Sequence, residues 1–528
     1  MFGISVCLYL KYSLIRAYYH AEQIFKRIVI RNYLDAILTI DQGTTSTKSI
    51  VFSVSGDIIS VCRRPTTQIY PENGWVEQSP NDILTSVIST MQDAYQEAVS
   101  KNADIKCIGI TNQRETVVVW DKQSGEPIYN AIVWQDRRTT NQIDYLRKLG
   151  VEDLVKKSTG LVLDPYFSAA KIAWILDTVK GARKRAQKNE LLFGTIDSYL
   201  IWKLTGGKHH KTDVTNASRT SLFNIKSLTW DTELLKIFNI PESVLPTVSK
   251  SAEYFGEISK TILDRTLPIF GVAGDQQSAM IGQSCFQAGQ VKSTYGTGCF
   301  LLANTGHELL YSQNNLISTI CYQVGDEISY GLEGSIFMAG ASLDWMKDNL
   351  NLINNLSETE SISQNLTTNG GVIIVPAFTG LGAPWWKPNA RAAIYGLTRQ
   401  VTKNELIRAT VESVAYQTND LVNCMIKDGV TPTEIRVDGG MVANHWFLKF
   451  LSDITQLKIK KPLIMESTAL GAAMLAALGS GLLPSLEDIS SRWRASFETT
   501  PNMLKKERAE LTDQWTKAVR ATIAFHEN

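Results

Sequence analysis

From Ala36 onward, short apolar runs alternate with turns of small polar residues. One strand is predicted to end near Asp41, a second to end before the Ser55-Gly56 turn, and a third to cover Ile58–Cys62. Three strands joined by such short turns predict an antiparallel meander at the start of a sheet.

The segment after this meander has the spacing of a helix. Ser79 is a favoured N-cap, and Pro80 suits the first helical position. Apolar residues then recur every four positions along one face, at Ile83, Val87, Met91 and Tyr95. Strand-like runs return at Ile105–Ile110 and Thr116–Trp120, so the series predicts an α/β fold with a mixed sheet.

The second half of the chain repeats this alternation. Its predicted elements are a strand at Pro268–Ala273, a hairpin around Tyr295–Gly298, a helix opened by the Gly340–Ser342 turn, a long helix from the capping box Thr402/Glu405 to Cys424, a strand and glycine turn within Glu434–Asn444, and a buried helix at Ser467–Leu478. A chain of 528 residues is too long for one hydrophobic core. We therefore predict two large domains, 35–285 and 286–528, with a cleft between them.

Composition narrows the class of protein. Hydrophobic residues make up 44% and charged residues 20%, and the net charge of +1 indicates no basic surface for nucleic acid. The seven cysteines are scattered without a C-x-x-C pair, which argues against a zinc site or disulfide framework and favours a reducing compartment such as the cytoplasm. His209 and His210 lie in a turn typical of a solvated loop, so we predict no transition metal. No segment after residue 34 reaches the roughly 18 uninterrupted apolar residues of a transmembrane helix.

Residues 1–34 differ from the rest of the chain. Five basic side chains accompany a single acid, Glu22, in a stretch otherwise rich in Ile, Leu, Val and Tyr. The small-residue cleavage site of a secretory signal is missing. This composition fits an organelle-targeting helix, mitochondrial for example, a membrane-surface helix, or extra residues from an upstream start codon. We favour the last interpretation and expect a chain without residues 1–34 to keep its activity.

Two turns have the composition of a phosphate site. Asp41 opens the first, Asp41-Gln-Gly-Thr-Thr-Ser46, in which Gly43 lets the backbone approach a ligand and the hydroxyls add donors. The second is Ser293-Thr-Tyr-Gly-Thr-Gly-Cys-Phe300. One such turn usually only reverses the chain, but one in each half favours phosphate binding. The chain has neither a P-loop motif nor the motifs of a protein kinase.

Further motifs follow in a fixed order from Ala36 to near the C-terminus. They are Asp41–Thr45, Thr111–Glu115, Asn130–Gln135, Asp164–Ser168, Gly274–Gln277, Thr294–Phe300, Pro376–Pro384 and Val437–Gly440, with two longer signatures at Tyr166–Asp177 and Ala392–Glu412. With these motifs the chain resembles the FGGY carbohydrate kinases, and among them the glycerol kinases. The resemblance implies two actin/hexokinase-like (ribonuclease H-like) ATPase domains with mixed sheets and a cleft between them.

The resemblance also implies a reaction. The γ-phosphoryl group of ATP would pass to a terminal hydroxyl of glycerol, with Mg²⁺ held by Asp41 directly or through water, in glycerol uptake and catabolism. Asp275 would be the general base that accepts the hydroxyl proton. Considered alone, an acid at a helix start is more often an N-cap, and it is the Gly274–Gln277 context that favours the base. A homo-oligomer, either a dimer or a tetramer, is implied as well.

For glycerol, the resemblance assigns hydrogen-bonding partners and apolar walls. The partners are Arg114, Glu115, Tyr166, Asp275 and Gln276, and the walls are Trp134 and Phe300. Three hydroxyl groups call for polar partners that a poorer substrate would leave unpaired, while aromatic rings exclude water. The residues alone favour other interpretations, a surface ion pair for Arg114 and Glu115 and a core position for Trp134.

For ATP, the resemblance assigns residues in both halves of the chain. They are Thr44, Thr45, Ser46, Lys48, Thr297, Gly340, Gly440 and Asn444. Lys48 stands where the family commonly has arginine, which keeps the charge but loses the bidentate fork. Asp344 stands where a glutamine is familiar, and because an acid would repel phosphate we leave Asp344 out of the site.

Two other functions stay open at this point. A sister kinase acting on a pentulose or another polyol would share the fold and the phosphate turns, and an acceptor assay distinguishes it. A binding or regulatory protein without turnover would have lost a catalytic residue, whereas Asp41, Arg114, Glu115 and Asp275 are all present.

Overall fold

The structure, a computed structural model, describes residues 33–527, so the predictions for residues 1–32 lie outside the described residues. Its strands, in chain order, are β1 (Leu34–Gln42), β2 (Ser46–Ser53), β3 (Ile58–Pro65), β4 (Glu77–Gln78), β5 (Ala103–Asn112), β6 (Val118–Asp121), β7 (Ala131–Ile132), β8 (Leu191–Gly194), β9 (Lys211–Asp213), β10 (Phe223–Asn224), β11 (Thr229–Trp230), β12 (Thr247–Ser249), β13 (Ala252–Glu257), β14 (Pro268–Gly274), β15 (Gln290–Tyr295), β16 (Cys299–Gly306), β17 (Ile317–Val324), β18 (Glu327–Ile336), β19 (Ile373–Val375), β20 (Ala393–Tyr395), β21 (Glu434–Asp438), β22 (Lys458–Pro462) and β23 (Ala495–Thr499).

Helices alternate with these strands along most of the chain. The α-helices are Pro80–Ser100, Thr140–Lys148, Glu152–Thr159, Ser168–Thr178, Ala182–Gln187, Ile196–Leu204, Val214–Ala217, Thr232–Ile237, Asp275–Gly282, Gly340–Asp348, Glu358–Asn365, Lys403–Lys427, His445–Thr455, Ser467–Gly479, Leu486–Arg492 and Lys505–His526, and 3₁₀ turns cover Glu242–Val244 and Gly440–Ala443. Among the described helices, none combines the length and apolar character needed to span a bilayer.

The first large sheet contains the predicted meander. Its strand order is β13-β14-β5-β1-β2-β3, with β1, β2 and β3 antiparallel and β1, β5 and β14 mutually parallel. The mixed sheet predicted from the three-stranded meander, the helix and the strands that follow it is therefore confirmed. The strand predicted at Pro268–Ala273 is β14, which joins this sheet by pairing in parallel with β5.

The second large sheet repeats the same plan. Its order is β17-β18-β16-β15-β21-β22-β23. The antiparallel pair β15–β16 corresponds to β1–β2, and the parallel series β15-β21-β22 corresponds to β1-β5-β14. This duplication matches the two actin/hexokinase-like domains that the resemblance implies.

Capping residues fix two of the long helices where the sequence places them. Ser79 accepts a hydrogen bond from the Asp82 N–H at the start of Pro80–Ser100. Thr402 and Glu405 form the predicted capping box at the start of Lys403–Lys427. Each cap satisfies N–H groups that the first helical turn leaves without a partner.

Helix Ser467–Gly479 is buried, as predicted, but it packs against the first sheet. A side chain at Gly109 of β5 or at Gly271 of β14 would lie 2.3 Å from the backbone of this helix. Gly471 likewise lets the helix approach helix Asp275–Gly282, since a Cβ there would lie 1.7 Å from the Ser278 carbonyl oxygen. The small residues of this segment therefore set a close packing between its helix and the strands that carry the candidate site.

Candidate active site

Parallel strands of the first sheet end together at one edge. Asp41 of β1 pairs in register with Thr111 of β5, and Gly274 of β14 pairs with Asn112 of β5. Asp41 and Asp275 therefore lie at the same edge, with the end of β5 between them. Burial raises the pKa of Asp41 to about 6, against the opposing charge of Lys48.

Asp275 is the first residue of helix Asp275–Gly282. Its Oδ1 accepts a hydrogen bond of 2.7 Å from the Gln276 N–H and lies 3.2 Å from Arg114 Nε. About 30% of its side chain is exposed, so a ligand can reach it. Burial raises the pKa of Asp275, although the charges of Arg114 and Lys292 oppose the shift. A carboxylate with a raised pKa is a better proton acceptor than an ordinary aspartate.

Arg114 and Glu115 lie in the loop after β5 and are almost fully buried, so their interpretation as a surface ion pair is wrong. Glu115 has a φ of 60°, an unusual backbone conformation for a residue with a side chain. Its carbonyl oxygen accepts a hydrogen bond of 3.1 Å from Ser168 Oγ, which helps to hold that conformation. The two side chains are 3.9 Å apart, and each has a closer partner elsewhere.

Those closer partners are Arg219 and Glu333, which the sequence analysis missed. Glu333 of β18 binds the Arg114 guanidinium through both oxygens, at 2.5 and 3.1 Å. Arg219 donates to Glu115 at 2.6 Å and to Glu333 at 2.8 Å. Burial alone would raise the pKa of Glu333, but the charges of Arg114 and Arg219 outweigh it and hold the pKa at about 2. An acid inside the largely uncharged run of β18 is the signal that could have found Glu333.

Aromatic rings from both halves of the chain meet beside these charges. The Trp134 ring lies edge-on to Tyr166, with centroids 5.6 Å apart, and to Phe300 of β16 at 6.2 Å. All three rings are partly exposed, so Trp134 is not a core residue. Burial raises the pKa of Tyr166, which keeps its hydroxyl protonated and able to donate. Trp134 Nε1 also donates to Thr44 Oγ1 at 2.9 Å, which ties the aromatic wall to the first phosphate turn.

Two buried lysines, also missed, support this region. Lys292 of β15 donates to Gln276 Oε1, and burial lowers its pKa. Lys171 donates to the Tyr166 carbonyl oxygen at 2.5 Å, and burial lowers its pKa to about 7. Lys171 lies within the signature Tyr166–Asp177, five positions after its partner Tyr166, so that signature could have pointed to it. Lys292 stands in no recognisable pattern, and its contact with Gln276 depends on the fold.

The first phosphate turn is the tight hairpin between β1 and β2. The Gly43 N–H donates to the Ser46 carbonyl oxygen at 2.9 Å, and Gln78 Nε2 donates to the Thr44 carbonyl oxygen at 2.7 Å. Thr45 accepts a backbone bond from the Thr66 N–H. On β2, Lys48 Nζ lies 2.6 Å from Glu466, at the start of helix Ser467–Gly479. Both members of this pair are partly exposed.

The second phosphate turn meets two other glycine segments. The Thr297 carbonyl oxygen accepts from the N–H groups of Ala339 and Ala341, and the Gly340 N–H donates to the Gly296 carbonyl oxygen at 2.9 Å. Gly439 has a φ of 94°, and a side chain there would lie 2.3 Å from the Tyr295 carbonyl oxygen. Thr297, Gly340 and Gly440 are therefore brought together.

The remaining predicted nucleotide residue and the excluded acid have partners of their own. Asn444 caps helix His445–Thr455, its Oδ1 accepting from the Phe447 N–H at 2.8 Å while its Nδ2 donates to Thr359. A nucleotide contact by its side-chain amide would therefore compete with these bonds. Asp344 lies 4.0 Å from Lys347 on an exposed part of its helix.

Comparisons with known proteins identify the family of the chain. The models of the FGGY family of carbohydrate kinases match residues 36–282 with the N-terminal domain and residues 291–480 with the C-terminal domain. The glycerol kinase of Alteromonas mediterranea is 52% identical over 484 residues, which are 92% of this chain and 98% of the relative. The glycerol kinase of Coxiella burnetii is 50% identical over 488 residues, 92% of this chain and 97% of the relative.

Solved structures show the same fold. The crystal structure of Plasmodium falciparum glycerol kinase with ADP has 40% sequence identity and a TM-score of 0.89, covering 93% of this chain and 98% of that one. A xylulose kinase from Lactobacillus acidophilus has 23% identity and a TM-score of 0.84, covering 93% of this chain and 99% of that one. That second likeness concerns the fold alone.

Proposed function

We propose that the chain, which belongs to the FGGY family of carbohydrate kinases, transfers the γ-phosphoryl group of ATP to glycerol and forms sn-glycerol 3-phosphate. Relatives about half identical to it over nearly its whole length are glycerol kinases, and so is a solved structural neighbour that holds ADP. The protein is a carbohydrate kinase enzyme, and the product it makes fits a role in glycerol uptake and catabolism.

The observation that carries the proposal is the position of Asp275. Its carboxylate is partly exposed beside the buried polar pair Arg114 and Glu115 and has a raised pKa. In the reaction, Asp275 accepts the proton of a terminal glycerol hydroxyl as that oxygen attacks phosphorus. Arg114, Glu115, Tyr166 and Gln276 bind the hydroxyl groups, and Trp134 and Phe300 cover the carbon chain.

The nucleotide side uses the two glycine-threonine turns. The backbone N–H groups and hydroxyls of Thr44, Thr45, Ser46 and Thr297 can donate to phosphate oxygens, and Lys48 adds a positive charge. We assign Gly340, Gly440 and Asn444 to the rest of the nucleotide, since Gly340 and the Gly439–Gly440 turn meet the second phosphate turn. Closing the cleft would bring both turns onto the phosphates and exclude water, which limits wasteful hydrolysis of ATP.

The residues present also fit a magnesium ion. Mg²⁺ prefers carboxylate oxygens and retains several waters, and Asp41 offers a carboxylate at the edge where the first phosphate turn begins. The negative charges of Glu466 and Asp275 add to the burial that raises the pKa of Asp41, so a cation there would relieve their repulsion. When bound, Mg²⁺ would supply positive charge to the phosphates.

An acceptor comparison tests the proposed function. The full chain is assayed for ADP formation with Mg-ATP and either glycerol, xylulose, ribulose or dihydroxyacetone. We expect kcat/KM to be highest for glycerol, because the buried polar partners match three hydroxyl groups on three carbons. A preference of about tenfold or more for a sugar would contradict the proposal and favour a sister kinase of the same fold.

A further inference from the structure

Behind Arg114 and Glu115, the buried side chains of Arg219 and Glu333 form a second layer of charge. Both are almost completely shielded from solvent. We propose that Arg219 and Glu333 are positioning residues, which hold Arg114 and Glu115 in the orientation that binds glycerol and keep Arg114 from pairing fully with Asp275. This inference rests on the proposed function, in which Arg114 and Glu115 contact the substrate.

The hydrogen bonds show that Glu333 fixes the plane of the Arg114 guanidinium. Glu333 Oε2 accepts from Arg114 Nη1 at 2.5 Å and its Oε1 accepts from Nη2 at 3.1 Å. Two parallel bonds of this kind hold an arginine in one orientation. Arg114 Nη1 also donates to Gln277 at 3.2 Å. Both terminal nitrogens of the guanidinium therefore have partners, and Nε is the nitrogen that faces Asp275.

Arg219 performs the same task for Glu115. Its Nε donates to Glu115 Oε1 at 2.6 Å, and its Nη2 donates to Glu333 Oε1 at 2.8 Å. Glu115 and Arg114 are themselves 3.9 Å apart, too far for a hydrogen bond between them. Their relative position therefore depends on Arg219 and Glu333. Because Glu333 lies on β18 of the second sheet, this bridge also joins the two halves of the chain at the site.

The charge of Glu333 acts on the base as well. Asp275 is faced by Arg114 after β5, Lys292 on β15, Glu333 on β18 and Asp41 on β1. The cations lower the pKa of Asp275 and Glu333 raises it. Removing the negative charge of Glu333 would leave Arg114 free to stabilise ionised Asp275. The pKa of Asp275 would then fall, and the acid limb of kcat/KM, where the base becomes protonated, would move to lower pH.

The test compares Glu333→Gln with a matched control, Glu412→Gln. Glu412 is also a buried carboxylate paired with an arginine, Arg408 at 2.8 Å, but neither Arg408 nor its other partner, Asn369, is among the residues proposed to bind glycerol. For Glu333→Gln we expect the glycerol Kd, measured by calorimetry, to rise on the order of tenfold, with the ATP KM within about twofold. The acid limb of kcat/KM should move to lower pH. Glu412→Gln should lower only the thermal midpoint.

Two conservative variants separate charge from geometry. Glu333→Asp keeps the charge on a shorter side chain, so it should weaken glycerol binding while leaving the acid limb at its wild-type pH. Arg219→Lys keeps the charge but loses the Nε bond to Glu115, and it should weaken glycerol binding even if Glu333→Gln fails to fold.

Either of two results would overturn the inference: unchanged glycerol affinity in both folded Glu333 variants and in Arg219→Lys, or identical behaviour of Glu333→Gln and Glu412→Gln. The proposed function fails separately, if the wild-type chain itself does not bind and phosphorylate glycerol. A wild-type enzyme that is active on glycerol, combined with a normal Glu333→Gln, would remove the positioning role alone.

Discussion

The proposed acceptor pocket is formed by the residues assigned to glycerol. Its Arg114 and Asp275 lie at the same edge of the first sheet as the first phosphate turn, yet the charges of the two regions are held differently. In the pocket, Arg114 is 2% exposed and Glu333 1% exposed, and they are joined by two hydrogen bonds. At the phosphate turn, Lys48 and Glu466 form an ion pair in which the side chains are 23% and 34% exposed. Water can reach the second pair and is excluded from the first.

This difference in burial bears on how the acceptor pocket and the phosphate turn would each bind the ligand proposed for them. A buried, paired guanidinium cannot reorient without a large cost, so the proposed acceptor pocket would be organised before glycerol arrives. The proposed nucleotide contacts are backbone N–H groups, hydroxyls and glycines, with one partly exposed cation, Lys48. We expect mutations in the pocket to change both stability and acceptor binding, and mutations at the turns to change chiefly nucleotide affinity.

The largest effect should come from Asp275→Asn. The amide keeps the size of the side chain but cannot accept the hydroxyl proton, so kcat should fall by about 10²–10⁴. Glycerol binding should weaken much less than kcat falls, since Asp275 is only one of the proposed partners and Arg114 and Glu115 remain. Stopped assays of glycerol 3-phosphate together with calorimetric glycerol titrations would measure both quantities. Asp344→Asn is the matched control on the nucleotide side, and a kcat for Asp275→Asn near that of this control would refute the assignment of the base.

The next largest effect is on stability. Arg114→Met leaves Glu333 buried without one of its two cations, which should cost about 3–5 kcal/mol of stability. Lys48→Met removes a partly exposed pair and should cost at most about 1 kcal/mol. Thermal unfolding of the two variants, each compared with the wild type, gives the measurement. Equal drops in the unfolding midpoint would mean that burial of the Arg114–Glu333 pair does not make it more important for stability than the partly exposed Lys48–Glu466 pair.

The elements around the site could largely be predicted from sequence, because local patterns determine them. The meander, the capped helix Pro80–Ser100 and the capping box at Thr402 follow from alternation, spacing and turn residues. The alanine-rich composition of Ser467–Leu478 predicts a buried helix, which the structure contains as Ser467–Gly479. Its apolar residues surround the whole helix, however, so no face of the sequence pattern could identify the first sheet as its partner.

The contacts that organise the acceptor pocket could not be predicted in this way. Arg114 and Glu333 are 219 positions apart and belong to different halves of the chain. Considered by itself, each is a charged residue of a type that is usually exposed, and burial becomes tolerable only when the fold supplies its partner. Motif resemblance supplied Arg114, Glu115 and Asp275. It did not supply Arg219 and Glu333, which bind Glu115 and Arg114, or Lys292, which binds Gln276.

The pH dependence of Mg²⁺ binding should test whether Asp41 is the metal ligand. Burial raises the pKa of Asp41 to about 6, so Asp41 is ionised at pH 8 and increasingly protonated below pH 6. Protons then compete with Mg²⁺ for the carboxylate. The apparent dissociation constant of Mg²⁺ should therefore rise by about tenfold per pH unit below pH 6. Activity measured across Mg²⁺ concentrations from pH 5 to 8 would show this trend. In Asp41→Asn the apparent affinity for Mg²⁺ should be lower than in the wild type at every pH, without the steep acid dependence. An apparent dissociation constant that is flat with pH in the wild type would exclude Asp41 as the ligand.

The smallest effect should come from the hydrogen bond that joins the two regions, between Trp134 Nε1 and Thr44 Oγ1 at 2.9 Å. Trp134→Phe keeps an aromatic wall against Tyr166 and Phe300 but removes the donor. A single hydrogen bond of this kind is worth about 0.5–1.5 kcal/mol, so the ATP KM should rise by about two- to tenfold while the glycerol KM changes less than about twofold. Trp134→Ala removes the wall too and should raise the glycerol KM. If Trp134→Phe instead changed the glycerol KM and left the ATP KM alone, the indole would serve the acceptor pocket only, and the phosphate turn would be positioned without it.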